Sequence, residues 1–364
     1  MKRPPLWGLA LALPLLASPW LGASDAQWRT WFFQWRGPRP VSLARREAPV
    51  LLAIDSESLA LDLLLSPAER EASPLWRRMG AWPWPRAVQA ELAAAVLERG
   101  AAQVVFNIVT SQPSRYGPAD DQAFQRRLAP WRQRVVLAAS LTGSDQEDGL
   151  AQQQLQRPLY SGFSRVGLTT LLQSPQGFTE AIPGRRWLDG ALSDFPPPHP
   201  LPLALAALGR PAPERPLAIN FAGPSGALPQ VSAWQVLEQP AAFWRGRTVL
   251  IGVTAAELGD QQETPFGPQS GAEVQAAALA SLALGTALRD PSEPLTGLLL
   301  LGWFVLQAAA LCRGGNAAGS GAIGLGGASA GLLLAAASGA ALAYRFSSAH
   351  REAWWPFGVG HAAL

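Results

Sequence analysis

Pro49-Val-Leu-Leu-Ala-Ile-Asp55 decides the fold, because its apolar run is unbroken up to a carboxylate. A strand on a half-solvated sheet alternates polar and apolar residues, whereas a strand buried on both faces of a parallel sheet does not. The spacing downstream repeats the theme. Trp84 to Arg99 carries Val88, Leu92, Ala95 and Val96 at helical intervals, with Pro85 in a first-turn position and Gly100 as its stop. Gln103 to Ile108 reads as a second buried strand, Asp120 and Asp121 open a helix through Leu128, and Val135 to Ala139 gives a third strand. Strand, helix, strand, helix, strand at short intervals predicts an α/β fold, a mostly parallel sheet with helices on both faces.

The alternation resumes with Leu217 to Phe221 as strand, Val231 to Leu237 as helix, Thr248 to Val253 as strand and Glu273 to Leu284 as helix. Between the two halves, Gly143 to Pro216 is rich in Gln, Gly and Pro and is expected to be irregular or antiparallel, an inserted or edge hairpin region of the same sheet.

Two charge-free stretches, Leu295 to Cys312 and Gly314 to Tyr344, close the chain. A hydrocarbon core about 30 Å thick needs about 20 apolar residues in helix, so both are long enough to cross a bilayer. Lys2 and Arg3 before the apolar run Leu6 to Leu21 mark a cytoplasmic N-terminus, and the run is either a signal peptide or an uncleaved anchor. The expected organisation is a membrane anchor over 1–23, an external domain over 24–293, C-terminal transmembrane helices over 294–312 and 314–344, and the start of a further, truncated one over 353–364. The expected location is a bacterial inner membrane, multi-pass, with the main domain extracytoplasmic (periplasmic).

Composition excludes several function classes. Cys312 is the only cysteine, so no intrachain disulfide forms even in an oxidising compartment. Net charge is only +3, Lys2 is the sole lysine and the arginines are scattered, which argues against nucleic-acid binding. The three histidines, His199, His350 and His361, show no metal-ligand spacing, and no Gly-x-Ser-x-Gly elbow or Walker lysine is present. No cofactor, metal site or catalytic residue is expected, and the carboxylate pair Asp120/Asp121 reads as helix-start charge.

In open parallel sheets ligands bind beyond the carboxyl ends of the strands. That rule nominates Asp55, Asn107 and the loop after Val253 with Thr254 and Asp260. Asp55-Ser-Glu-Ser58 reads equally as a helix-capping run with Ser56 or Ser58 as cap. Trp82-Pro-Trp-Pro-Arg86 fixes an extended backbone, presents large flat faces and leaves Arg86 free to stack or pair, which makes Trp82, Trp84 and Arg86 ligand candidates. The same pentad also reads as a rigid lid packed onto the domain's own core.

With those residues in place, the external part resembles the second type of the CHASE family, an extracytoplasmic sensor domain associated with cyclases and histidine kinases. The resemblance rests on Leu52-Ala-Ile-Asp55, Trp82-Pro-Trp-Pro-Arg86, Gly100-Ala-Ala-Gln-Val-Val-Phe-Asn-Ile108, Val249-Leu-Ile-Gly-Val-Thr254, Leu258-Gly-Asp260, Thr264-Pro-Phe266 and Gly271-Ala-Glu-Val-Gln-Ala276. It implies a membrane-anchored sensor that passes the binding of an extracytoplasmic ligand through its transmembrane helices to a cytoplasmic output, a kinase or cyclase beyond this chain. The alternative is a non-signalling protein that holds an envelope partner, or a degenerate receptor remnant. Asn107 stands where the family usually has Asp, and Gln275 where it often has His. Receptors that signal through helix packing work as dimers, and Gly319, Gly321, Gly324, Gly327 and Gly331 give the last long helix small faces for a homodimer contact within the lipid bilayer.

Overall fold

The computed structural model describes residues 30, 32–80, 82–144, 152–174, 176–258 and 260–288. The expected membrane segments over 1–23, 294–312, 314–344 and 353–364 lie outside the described residues, and among those residues no helix is long and apolar enough to cross a membrane.

The sheet runs through β1 (Val50–Ile54), β2 (Gln103–Val109), β3 (Val135–Ser144), β4 (Gln152–Gln156), β5 (Arg165–Leu168), β8 (Leu201–Pro202), β10 (Gln230–Ser232) and β11 (Thr248–Val253). Its spatial order is β10-β1-β11-β2-β3-β5-β8, every pair along that path is parallel, and β4 pairs antiparallel with β3. A mostly parallel α/β sheet is therefore what the chain forms.

Burial on both faces explains the unbroken apolar strands. Val50, Leu52 and Ile54 of β1, Val104 and Phe106 of β2, and Val249 and Ile251 of β11 enter one core with helix α1 (Arg86–Glu98) and helix α2 (Pro118–Leu128). Leu51, Ala53, Val105 and Leu250 point the other way, into a core built with helix α3 (Leu203–Leu208) and helix α4 (Gly271–Ala283). An apolar residue at every position is what two covered faces require.

α4 is buried along its whole length except for its last residue. Its small side chains let it lie close to the sheet: a Cβ on Gly252 of β11 would meet the Ala272 Cβ at 2.6 Å and the Asn107 Cβ at 3.3 Å. Ser270 and Glu273 form a reciprocal capping box at its start, the hydroxyl accepting from the Glu273 N–H at 3.2 Å and the carboxylate accepting from the Ser270 N–H at 3.0 Å.

The structure departs from the sequence expectation at four points. Val231 to Leu237 is not a helix: Gln230–Ser232 forms edge strand β10, which covers the open backbone of β1, and only Ala233–Gln235 turns as a single 3₁₀ turn. Leu217–Ala218 is a two-residue strand, β9, that lies outside the main sheet; it pairs antiparallel with β7 (Thr179–Ile182), itself paired with β6 (Leu172–Gln173). The stretch Gly143 to Pro216 supplies the expected antiparallel pairing, but it also holds parallel strands β5 and β8, which are too short and too close to Gly and Pro to be read by periodicity. Finally, the helical turn Ser56–Leu59 is capped by Asp55 and not by Ser56 or Ser58.

The close approach of α4 can be measured. Gly252→Ala should destabilise the protein by about 1–3 kcal/mol, because added volume in a packed core forces backbone shifts. Ala272→Gly in the same chain should recover part of that loss. Equilibrium urea unfolding of the two single variants and the double variant gives the coupling, and additive losses would mean that the two residues do not meet.

Candidate functional site

The carboxyl ends of β10, β1, β11 and β2 lie side by side; Asp55, Thr254 and Thr110 follow three of these strands, and Ser232 ends β10. Asp55, leaving β1, accepts the Ser58 N–H at 2.9 Å and the Ser58 hydroxyl at 2.6 Å on one oxygen, and the hydroxyl of Ser232 at the end of β10 on the other. The Ser58 hydroxyl in turn accepts the Trp234 N–H at 3.4 Å. Ser56 donates to Glu257 in the loop after β11 at 2.8 Å, and the Trp234 indole donates to Glu57 at 3.4 Å. Backbone N–H groups of Thr254 and Ala255 both reach the Ile54 carbonyl, at 3.0 and 3.2 Å. Three loops from three adjacent strands are thus tied into one surface. The Thr254 hydroxyl is buried there without a hydrogen-bond partner.

A second cluster lies over β2, where α1 and α2 begin. Pro85 precedes α1 and has no side chain able to cap it. The cap comes from the other helix: the Asp120 carboxylate accepts the N–H groups of Arg86 at 2.7 Å and Ala87 at 2.9 Å, together with the Ser114 hydroxyl at 2.5 Å. A carboxylate there also answers the positive end of the α1 dipole. The pair read as helix-start charge does stand in the first turn of α2, yet its first member serves α1.

Its neighbour Asp121 is buried and accepts the Tyr160 hydroxyl and, at 3.1 Å, the Ser114 N–H. Tyr160 is buried as well, stacked on Phe124 with ring centroids 5.0 Å apart. Burial raises the Tyr160 pKa above its ordinary value, and the hydrogen bond to Asp121 raises it further. Arg86 donates to the Gln89 side-chain oxygen at 3.4 Å, while Arg86 Nε, Gln89 Nε2 and Thr110 Oγ1 are buried without partners. Unmade hydrogen bonds on buried groups are costly and uncommon, so a cluster of them marks a place where a polar atom from outside the chain would be stabilised.

The seven residues nominated from sequence stand at three places along this edge. Asp55 and Thr254 share the β10-β1-β11 surface. Trp82, Trp84 and Arg86 belong to the α1 side, where Trp84 is 2% exposed, packs in the core edge-on to Trp82 at 5.8 Å, and donates its indole N–H to the Gly80 carbonyl at 2.8 Å. Trp84 therefore presents no free face, while Trp82 is half-buried and Arg86 sits beside Gln89.

Asn107 points to the opposite face, toward α4, beside Gly252. Asp260 is exposed, and its carboxylate lies against Gly271 at the start of α4, where a Cβ would overlap it. One turn into α4, buried Gln275 donates to the Thr169 carbonyl just past β5. Gln89, Thr110, Tyr160 and Ser232 complete the edge without having stood out in the sequence, and Asp121 stood out only as helix-start charge. Ser232 follows only a single apolar residue, Val231, and the others come from separate parts of the chain that meet only in the fold.

An open depression of about 440 Å³ lies on the outer side of Tyr160, lined by Gln125, Arg132, Leu159 and Phe163 among others, and none of the nominated residues lines it. Among the described residues, no group of three His, Cys, Asp or Glu side chains is placed to hold a metal ion.

Two measurements test this account. Asp120→Ala should cost about 1–2 kcal/mol, the value of a helix cap, in urea unfolding; an unchanged midpoint would mean the trans cap is not made in solution. Tyr160→Phe tests the buried pair through pH. A raised native pKa means the Tyr160 contribution is fully present below about pH 10, where the unfolded phenol is still protonated, and is lost as pH rises beyond it. The stability gap between wild type and Tyr160→Phe, about 1–3 kcal/mol near neutrality, should therefore narrow above pH 10, and a constant gap would refute the assignment.

No curated protein and no solved structure matches the chain. The family model described as the CHASE2 domain matches residues 7–309, most of the chain, and spans every strand and helix that builds this edge. The chain belongs to the CHASE2 family of extracytoplasmic sensor domains.

Proposed function

We propose that the protein is a membrane-anchored sensor in which a ligand bound outside the cytoplasm, at the carboxyl edge of the sheet, biases the packing of the apolar segments that follow the domain and so the state of a cytoplasmic kinase or cyclase partner. A homodimer is the working unit of this proposal. Family membership supports the sensor role. The observation that carries the coupling is α4, which begins at the edge and ends at Ala283, twelve residues before Leu295 in the sequence.

α4 starts where the Asp260 carboxylate lies against Gly271, Ser225 donates to Glu273 and Gln275 donates to the Thr169 carbonyl just past β5, and it is about 20 Å long at 1.5 Å per residue. After Ala283 the chain is tied down again: the Leu288 N–H donates to the Ala218 carbonyl at 3.0 Å, and the Ala218 N–H donates back at 3.1 Å. Seven residues later in the sequence the charge-free stretch at Leu295 begins. A closely packed helix transmits a shift at one end as a displacement of the whole element.

Two readouts from cells test this, both in a Cys312→Ser background. Leu63→Cys should be labelled by a membrane-impermeant maleimide in intact spheroplasts; labelling only after lysis would place the domain in the cytoplasm and overturn the proposal. Single cysteines scanned from Leu295 to Val305 should give a disulfide cross-linking profile between copies that Gln275→Ala alters and Asp189→Asn, exposed on the helix Arg185–Ala191, does not. A profile unchanged by Gln275→Ala would sever the domain from the membrane segments.

A further inference from the structure

The loops leaving β1, β10 and β11 share a composition that the sensor reading leaves unused. Residues 55–65, 233–240 and 254–260 carry Asp55, Glu57, Asp62, Glu238, Glu257 and Asp260 and no Lys or Arg, in a chain whose formal net charge is +3. All but Asp55 are exposed. The same three loops hold exposed leucines: Leu63 at 85%, Leu64 at 51%, and Leu237 and Leu258 at 37% each. Trp234 lies half-buried among them, tilted against Trp76 at 6.3 Å. The next segment, 66–78, carries both signs, with Arg77 paired to Glu71 at 3.4 Å and Arg78 reaching Glu91 at 4.0 Å.

The exposed leucines are not simply unplaced. Leu61, in the same helical turn, is fully buried, which turns Leu63 and Leu64 outward. The loops themselves are fixed relative to one another by the Ser56–Glu257, Trp234–Glu57 and Asp55–Ser232 hydrogen bonds. A held surface that interleaves leucines with carboxylates presents apolar contact area and one sign of charge together.

We propose that this surface docks a cationic amphipathic peptide segment, which names the ligand class for the sensor proposed above and rests on that proposal. Charge complementarity selects the occupant. A second copy of the chain placed face to face on this patch would set acid against acid, because an isologous contact pairs the same surface with itself. A purely cationic ligand would leave the leucines in water. A basic segment with an apolar face uses both features, its cations lying among the carboxylates and its apolar side chains on Leu63, Leu64, Leu237 and Leu258.

The test uses the full chain in nanodiscs of zwitterionic lipid, with empty nanodiscs as the blank, and a synthetic lysine–leucine amphipathic helix as the fluorescent probe. The same peptide with serine in place of leucine is the charge-only control. Wild type should bind the amphipathic probe, bind the serine peptide at least about tenfold more weakly, and lose affinity as salt rises. Leu63→Ser with Leu64→Ser, both on the surface and harmless to the core, should weaken binding by about tenfold or more. Leu159→Ser, an exposed leucine elsewhere, should leave it unchanged. Asp62→Asn with Glu238→Gln should weaken binding at low salt and flatten its salt dependence.

No binding by wild type, equal binding of the serine peptide, or indifference to the Leu63/Leu64 substitutions would each overturn the proposal. Protection of these loops from hydrogen exchange by calcium chloride but not by the peptide would also overturn it, assigning the acids to a cation. Any of these results leaves the maleimide and cross-linking outcomes standing, so failure of the ligand class is separable from failure of the sensor reading.

Discussion

The approach of α4 to the sheet at Gly252 and Ala272 is the constraint on which the rest of the architecture depends. A 2.6 Å separation between would-be and actual Cβ atoms leaves no room for any residue larger than glycine on β11 at that height. It sets how deep the helix sits, and hence that nearly every residue of α4 is covered. Covered all round, α4 must be Ala-rich and must satisfy each of its polar side chains locally. It does so: Glu273 on its own N-terminus, Gln275 on the Thr169 carbonyl, and Ser281 between the Ala277 carbonyl at 2.7 Å and the Asn220 N–H at 3.0 Å.

The opposite face obeys a different rule. There α1 and α2 are joined by charge as well as by packing: Asp120 caps α1, and Arg127 on α2 bridges back to Glu91 at 2.9 Å and Glu98 at 2.8 Å on α1. The cap is worth more than the bridges, since the bridging groups are partly exposed and exposed pairs contribute about 0–1 kcal/mol. The first turn of α2 thereby fixes where Arg86 stands, beside the buried Gln89.

Much of the first half was legible in the sequence, and the reason is burial. Strands covered on both faces announce themselves as unbroken apolar runs, so β1, β2, β3 and β11 were readable, as were α1, α2 and α4 from their punctuation. β10 was misread as helix because three strand residues leading into a 3₁₀ turn place apolar groups at nearly helical intervals. β5 and β8 were missed because four- and two-residue strands carry no period at all. At the candidate site the strand-end rule located Asp55 and Thr254, since that rule needs only local pattern. It was silent on Asp121 and Tyr160, thirty-nine positions apart and brought together by the path of the crossover and not by spacing. Trp84 shows the converse: an unusual sequence feature whose ring is committed to the core.

The two faces bear differently on how a ligand's effect would travel. On the α1 side, a polar ligand atom would meet partnerless groups, Gln89 Nε2 and Thr110 Oγ1, whose satisfaction stabilises the domain without demanding that anything move. On the side of β10, β1 and β11, a peptide would bear on loops that reach α4 directly through the stretch from Thr254 to Gly271, where Asp260 rests on the first residue of the helix. α4 is buried along nearly its whole length, and the chain is pinned again at its far end, where Arg210 donates to the Leu282 carbonyl at 2.9 Å and Leu288 pairs with Ala218. Under the proposed sensor reading, a shift at Gly271 would travel along the covered helix toward Leu288, whereas occupation of the Gln89 cluster would stiffen the opposite face. The acidic, leucine-bearing loops are for that physical reason the better placed of the two surfaces to convert binding into displacement.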